Sequence, residues 1–144
     1  MIFYIHILIF KQMKTDINIY ILFGILIIHW FADFVLQTDQ MAKNKSTSNY
    51  WLTKHVYRYT TVWVAAMFIY CAVLYGITWT PEGVRLCFLF PIITFVCHWL
   101  TDYLTSRLNT RLHKKGDIHN FFVSIGADQV YHYVQLVLTF QLLS

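Results

Sequence analysis

The sequence predicts an all-α protein: a four-helix transmembrane bundle made of two helical hairpins related by an internal repeat. Three observations carry that expectation. The chain is 58% hydrophobic and only 12% charged, it holds four apolar stretches of membrane-spanning length, and two of those stretches carry the same His-Trp-x-x-Asp-aromatic pattern. An ordinary soluble domain is about 25% charged. A chain of 144 residues has too much surface for its volume to hide this much apolar side chain from water, so a bilayer is the expected solvent. One domain fits the length: residues 13–144, preceded by a short apolar segment at residues 1–12.

That opening segment, Met1 to Phe10, is too short to span. It has neither a basic start nor a small-residue cleavage site, so no secretory signal is expected, and a start at Met13 would give a tidier protein. Four stretches have the roughly 20 apolar residues that a span requires: about Ile17 to Gln37, Thr60 to Trp79, Val84 to Leu104 and Phe121 to Leu143. The first connection, Thr38 to Tyr59, is basic and contains a Ser46-Thr47-Ser48-Asn49 run suited to capping the next helix. Thr80-Pro81-Glu82-Gly83 reads as a tight turn that makes helices two and three an antiparallel hairpin. In the third connection, Leu104, Leu108 and Leu112 recur at helical spacing among Arg107, Arg111, Lys114 and Lys115. Helix three is therefore expected to emerge as a basic amphipathic extension that stops near Gly116.

Charge sets the expected orientation. Eight Lys and Arg residues lie on the side of the first and third connections and three, Lys11, Lys14 and Arg85, on the other. The positive-inside bias then places those two connections in the cytoplasm of a cell whose inner membrane holds the protein. Cations confined to short inter-span segments argue against nucleic acid as a partner. Cys71, Cys87 and Cys97 lie in or beside apolar stretches without zinc-ligand or redox spacing, and no disulfide is expected.

Ionisable residues inside the spans point to function. His29 and Asp33 share one face of the first helix and His98 and Asp102 one face of the third, since a separation of four places side chains roughly 6 Å apart along the axis. Asp128 and His132 repeat the spacing in reverse order on the fourth, antiparallel helix. Counted from the expected cytoplasmic ends, His29, His98 and Asp128 lie roughly 10–12 Å deep at 1.5 Å per residue. Charged groups at such depth cost at least a few kcal/mol each, and pair, line a cavity or hold an ion.

Three explanations follow. Imidazole and carboxylate suit zinc, manganese or iron, so His29, Asp33, His98, Asp102, Asp128 and His132 are candidate ligands for one ion, or for two roughly 3.5–4 Å apart. The same groups suit a proton or ion pathway, although only Gln135, Thr139 and Gln141 continue the polarity outward. A structural polar core, with each His bonded to its own helix's Asp, is the third. Gln37, Asp39, Lys43 and His55 surround the expected cytoplasmic mouth and, with Gln129, are candidates to bind an anionic headgroup or phosphate.

Together, His29-x-x-x-Asp33-Phe34-x-x-Gln37, Ala42-Lys43, His98-x-x-x-Asp102 and Asp128-Gln129-x-x-His132 resemble a family of small multi-pass membrane proteins of bacteria and their phages, grouped as domain of unknown function 3307. The resemblance covers roughly Met13 to the C-terminus. It implies the bundle and the importance of the cluster, and it implies no reaction. A looser likeness, at the level of fold analogy, connects the pattern to membrane-bound metal-dependent hydrolases.

The leading expectation is a divalent metal ion held between the six His and Asp residues and open to the cytoplasm. Its activity would be metal-assisted hydrolysis of a lipid-like or phosphorylated amphiphile, with an activated water as nucleophile and one of Asp33, Asp102 or Asp128 as general base. The alternative is a non-enzymatic membrane protein: an ion pathway, or an interaction subunit with a structural His/Asp core. The small interior of such a bundle also leaves room for a homodimer.

Overall fold

A computed structural model describes residues 17–76 and 80–144 of the chain. Among these there is no strand; the architecture is five helices. Helix α1 is Ile19–Val35, α2 is Asp39–Asn44, α3 is Asn49–Tyr75, α4 is Pro81–Lys114 and α5 is Ile118–Leu143. The short apolar segment at residues 1–12, the start at Met13 and the end of the second expected span at Trp79 lie outside the described residues.

The four long helices form a closed ring in chain order, with α3 beside α4, α4 beside α5, and α1 against both α5 and α3. Neighbours run antiparallel. His55 meets His98 and Asn49 meets Arg107 across α3 and α4, while Thr105 meets Asp128 and Arg85 meets Leu143 across α4 and α5. The repeat-bearing helices α1 and α4 thus face one another across the ring.

Two connections differ from expectation. Helix α3 begins at Asn49 with Ser48 at its N-cap position, well before Thr60. The extra turns bury Leu52, His55, Val56 and Tyr59, an i, i+3, i+4, i+7 stripe, while Lys54 and Arg58 face out. An amphipathic face of that kind is visible to helical periodicity and not to a hydropathy window. Thr80-Pro81-Glu82-Gly83 is not a reversal but a helix start: the Thr80 hydroxyl accepts from the Gly83 N–H at 3.1 Å and Pro81 occupies the first turn, where its missing N–H costs nothing. The left-handed residue is Gly76, at φ +65°.

The third connection behaves as its leucine spacing implies. Helix α4 continues to Lys114, and Gly116, at φ +72°, closes it. The Asp117 N–H bonds the Leu112 carbonyl and the Gly116 N–H the His113 carbonyl, each at 3.0 Å, the paired bonds of a Schellman stop. Asp117 then caps α5 through the Asn120 N–H.

Helices α1 and α4 each contain one π-helical turn, at Phe31–Val35 and Arg85–Leu89. The second lies just ahead of Pro91, whose ring would otherwise crowd the carbonyl four residues back. The first has no proline, and it carries Asp33.

The interior has two zones. Toward one end, Trp63, Met67, Leu86, Phe90, Leu136 and Phe140 pack an apolar core. Toward the end where α1 joins α3 and α4 joins α5, the interior is polar: His29, Asp33, His55, His98, Asp102, Asp128 and His132 are all buried. The outer surface is the reverse, with Ile69 65% and Val73 77% exposed. Helices α3 and α4 are long and apolar enough to cross a membrane. Helix α1 is apolar but shorter, and α5 carries too many polar side chains to meet the same measure.

Candidate metal centre

Each long helix sends polar groups to one point. From α1 come His29 and Asp33, from α3 His55 and Tyr59, from α4 His98, Asp102 and Thr105, and from α5 Asp128, Gln129 and His132. The convergence is of particular atoms: His29, His55, His98 and His132 all turn Nε2 toward the carboxylates. His55 Nε2 lies 3.0 Å from Asp33 Oδ1 and 3.3 Å from both Asp102 Oδ2 and His98 Nε2. His98 Nε2 lies 3.6 Å from Asp33 Oδ1 and 3.7 Å from Asp102 Oδ2.

Those distances have a chemical meaning. Nitrogen and oxygen ligands held about 2.0–2.1 Å from a tetrahedral ion stand roughly 3.3–3.4 Å from one another. The five spacings just given, among Asp33 Oδ1, His55 Nε2, His98 Nε2 and Asp102 Oδ2, range from 3.0 to 3.7 Å. Asp33, His55 and His98 form one buried group able to hold a metal ion, and His98, Asp102 and His132 another. Both use His98 Nε2, which has a single lone pair, so the two groups describe neighbouring positions for one ion.

The surrounding groups orient the ligands. The Tyr59 hydroxyl meets His29 Nδ1 at 2.8 Å, and the Tyr59 ring stacks on His98 with centroids 3.9 Å apart. The Thr105 hydroxyl donates to Asp128 Oδ1 at 2.6 Å. Gln129 donates to Asp128 Oδ2 at 3.1 Å and to Asp33 Oδ2 at 3.5 Å, while its Oε1 faces His29 Nε2 at 3.0 Å. His132 Nε2 sits between Asp102 Oδ1, at 3.3 Å, and Asp128 Oδ1, at 3.4 Å.

One cation reaches in from outside the four long helices. Lys45, just past α2, places Nζ 2.9 Å from Asp102 Oδ2. Burial disfavours its charged form, but Asp102 and Asp33 outweigh that and raise its pKa above the ordinary lysine value. Three carboxylates against one ammonium leave the cluster two negative charges when its imidazoles are neutral.

The residues singled out from sequence fall in three places. His29, Asp33, His98, Asp102, Asp128 and His132 share the cluster. His55 and Gln129, expected at a substrate mouth, lie inside it. Gln37 and Lys43 lie outside: Gln37 only donates to the Asp33 backbone carbonyl at 3.4 Å, and Lys43 is exposed beside Asp39 at 3.9 Å. Lys45, Tyr59 and Thr105 went unrecognised. Tyr59 follows His55 by four residues, a signal periodicity offered; nothing in the sequence separates Lys45 from Lys43. The tryptophans of the repeat diverge too, since Trp30 is exposed while Trp99 donates to the Thr53 hydroxyl at 3.0 Å.

A family model described as protein of unknown function (DUF3307) matches residues 21–144. No curated protein and no solved structure matches the chain.

Proposed function

Because the chain belongs to the DUF3307 family, whose description names no activity, we propose its function from the site alone: it is an intramembrane metal-dependent hydrolase acting on a lipid-like or phosphorylated amphiphile. The observation that carries this reading is the convergence of four buried ligand atoms, Asp33 Oδ1, His55 Nε2, His98 Nε2 and Asp102 Oδ2, with Asp33, His55 and His98 all within 3.0–3.6 Å of one another. The two negative charges that the cluster holds beyond Lys45 when its imidazoles are neutral are consistent with it, since buried charge without balance is strongly unfavourable. A divalent cation removes both.

The proposed ligand set differs in membership from the one expected. His55 joins it, while Asp128 and His132 become the acid-base pair and His29 a supporting group. Asp33, His55, His98 and Asp102 would hold a zinc, manganese or iron ion, which would supply an activated water only at a fifth position beside these four atoms. His132 Nε2 faces carboxylate oxygens of both Asp102 and Asp128 and so carries a proton to donate, which makes Asp128 the group placed to take a proton from water and His132 the acid that returns one to the leaving group.

The membrane setting belongs to the same proposal. All four long helices cross, with the polar end of the interior toward the cytoplasm. The support is the outer surface: a water-soluble monomer rarely exposes a contiguous apolar area of more than a few hundred Å², whereas here Phe23, Ile27, Ile69, Val73, Ile92 and Val130 all face outward.

Elemental analysis of detergent-purified protein tests the metal. About one equivalent per chain is expected, reduced at least tenfold by Asp102→Asn and by His55→Ala with helicity retained. Preparations that hold no metal, or variants that hold as much as wild type, would sink it.

A second reading has one observation in its favour. Lys45 already satisfies Asp102 at 2.9 Å, as a structural core without metal would require. In that case Asp102→Asn lowers thermal stability and changes no metal content.

A further inference from the structure

We propose a second site beside the metal centre, one that binds a phosphate group. It rests on the proposed metal-dependent function and names the class of substrate that function would take. A cavity of about 320 Å³ opens between the segment following α2 and the facing ends of α4 and α5.

Its lining is donor-rich. Lys43, Lys45, Lys114, Ser106, Thr110 and His113 line it and no lining residue is acidic, although the Lys43 ammonium also lies 3.9 Å from exposed Asp39 and that of Lys45 2.9 Å from Asp102. Each ammonium has three donors, and an anion with several acceptor oxygens would take those that Asp39 and Asp102 leave over. The ordinary alternative, a solvated basic rim, leaves one observation without a cause. Ser106 is 8% exposed and its Oγ has no hydrogen-bond partner, although buried hydroxyls are ordinarily bonded. The Oγ is itself shielded, and a change of rotamer toward the cavity would let a phosphate oxygen supply the partner.

Position ties this cavity to the chemistry. Ser106 follows Asp102 by one helical turn. Lys45 belongs to both sites, lining the cavity while its Nζ touches Asp102 at 2.9 Å; an ammonium has three donors, so one bond to Asp102 leaves two for an anion. A phosphate seated there is one side chain away from the metal ligands. The dianion of a phosphate monoester fits the donor set, and such a group can arrive as a lipid headgroup or as a free phosphate compound.

The test uses full-length protein in neutral detergent, stripped of metal by a chelator so that binding at the metal centre does not contribute. Inorganic phosphate and short-chain phosphatidic acid are titrated separately, with phosphatidylcholine as the control. Wild type is expected to bind at least one of the two phosphate probes, and Lys43→Gln combined with Lys114→Gln to weaken that binding tenfold or more. Ser106→Ala, which removes only a hydroxyl, is expected to weaken it severalfold. Phosphatidic acid binding at least tenfold tighter than phosphate identifies a lipid headgroup; equal binding identifies a free phosphate compound. Failure of both to bind, or unchanged binding in the double variant, overturns the proposal. The double variant touches no metal ligand, so its metal content is expected to equal that of wild type. Loss of phosphate binding with metal retained therefore separates this site from the metal reading.

Discussion

At the scale of single residues, Lys45 is the most informative. Its ammonium neutralises one of three clustered carboxylates, so Lys45→Met leaves a buried charge without its partner and is expected to destabilise the protein by about 3 kcal/mol. The sign with pH follows from its raised pKa. A group raised in the folded state contributes stability that is fully present below the unfolded lysine value of about 10.4 and is lost as pH climbs through the folded one. The melting difference between wild type and Lys45→Met should therefore hold constant from neutrality to about pH 10 and shrink only above it; a difference that collapses near neutral pH contradicts the ion pair. The sequence made the His and Asp positions legible because charges inside apolar runs announce themselves. It left Lys45 illegible because a lysine in a basic loop looks like every other, and only the fold turns this one inward.

At the scale of elements, the helix stops were more readable than one of the starts. Leucines at four-residue spacing followed by Gly116 describe the end of α4 as it stands, since only glycine enters the left-handed region freely. Gly116→Ala is expected to lower stability by about 1–2 kcal/mol, seen as an earlier thermal transition by circular dichroism; an unchanged transition contradicts the cap. Thr80→Ala removes the hydroxyl that accepts from the Gly83 N–H, and by the same measurement is expected to cost about 1 kcal/mol. The start of α3 was half legible: the Ser46–Asn49 run marked its cap, with Ser48 at that position, but residues 49–59 mix lysine and arginine with buried apolar side chains, and averaging placed the span only from Thr60. That averaging also moved His55 from the interior to a supposed mouth. The π-helical turn at Phe31–Val35 had no sequence signal at all. It breaks the likeness between α1 and α4, for Asp33 sits in a widened turn and Asp102 in regular helix.

At the scale of the whole molecule, one end of the interior is polar while many large apolar side chains face outward. If the outer surface meets lipid, the protein stays in the membrane fraction through an alkaline carbonate wash; recovery in the supernatant contradicts the four-span reading. The all-helical class was legible from composition and the ring of four helices from the connections, whereas the closure that sets α1 against α5 required coordinates. The closure has a consequence for biogenesis. Asp128, Gln129 and His132 all reside on α5, which the ribosome produces after the other three long helices. Until α5 docks, His29 lacks Gln129 and Asp102 lacks His132, so on the proposed four-span reading the nascent chain would hold ionisable groups in the bilayer with their partners still unmade. On that reading, docking of α5 would complete the centre last, and a copy in which it failed would be left with an exposed polar seam.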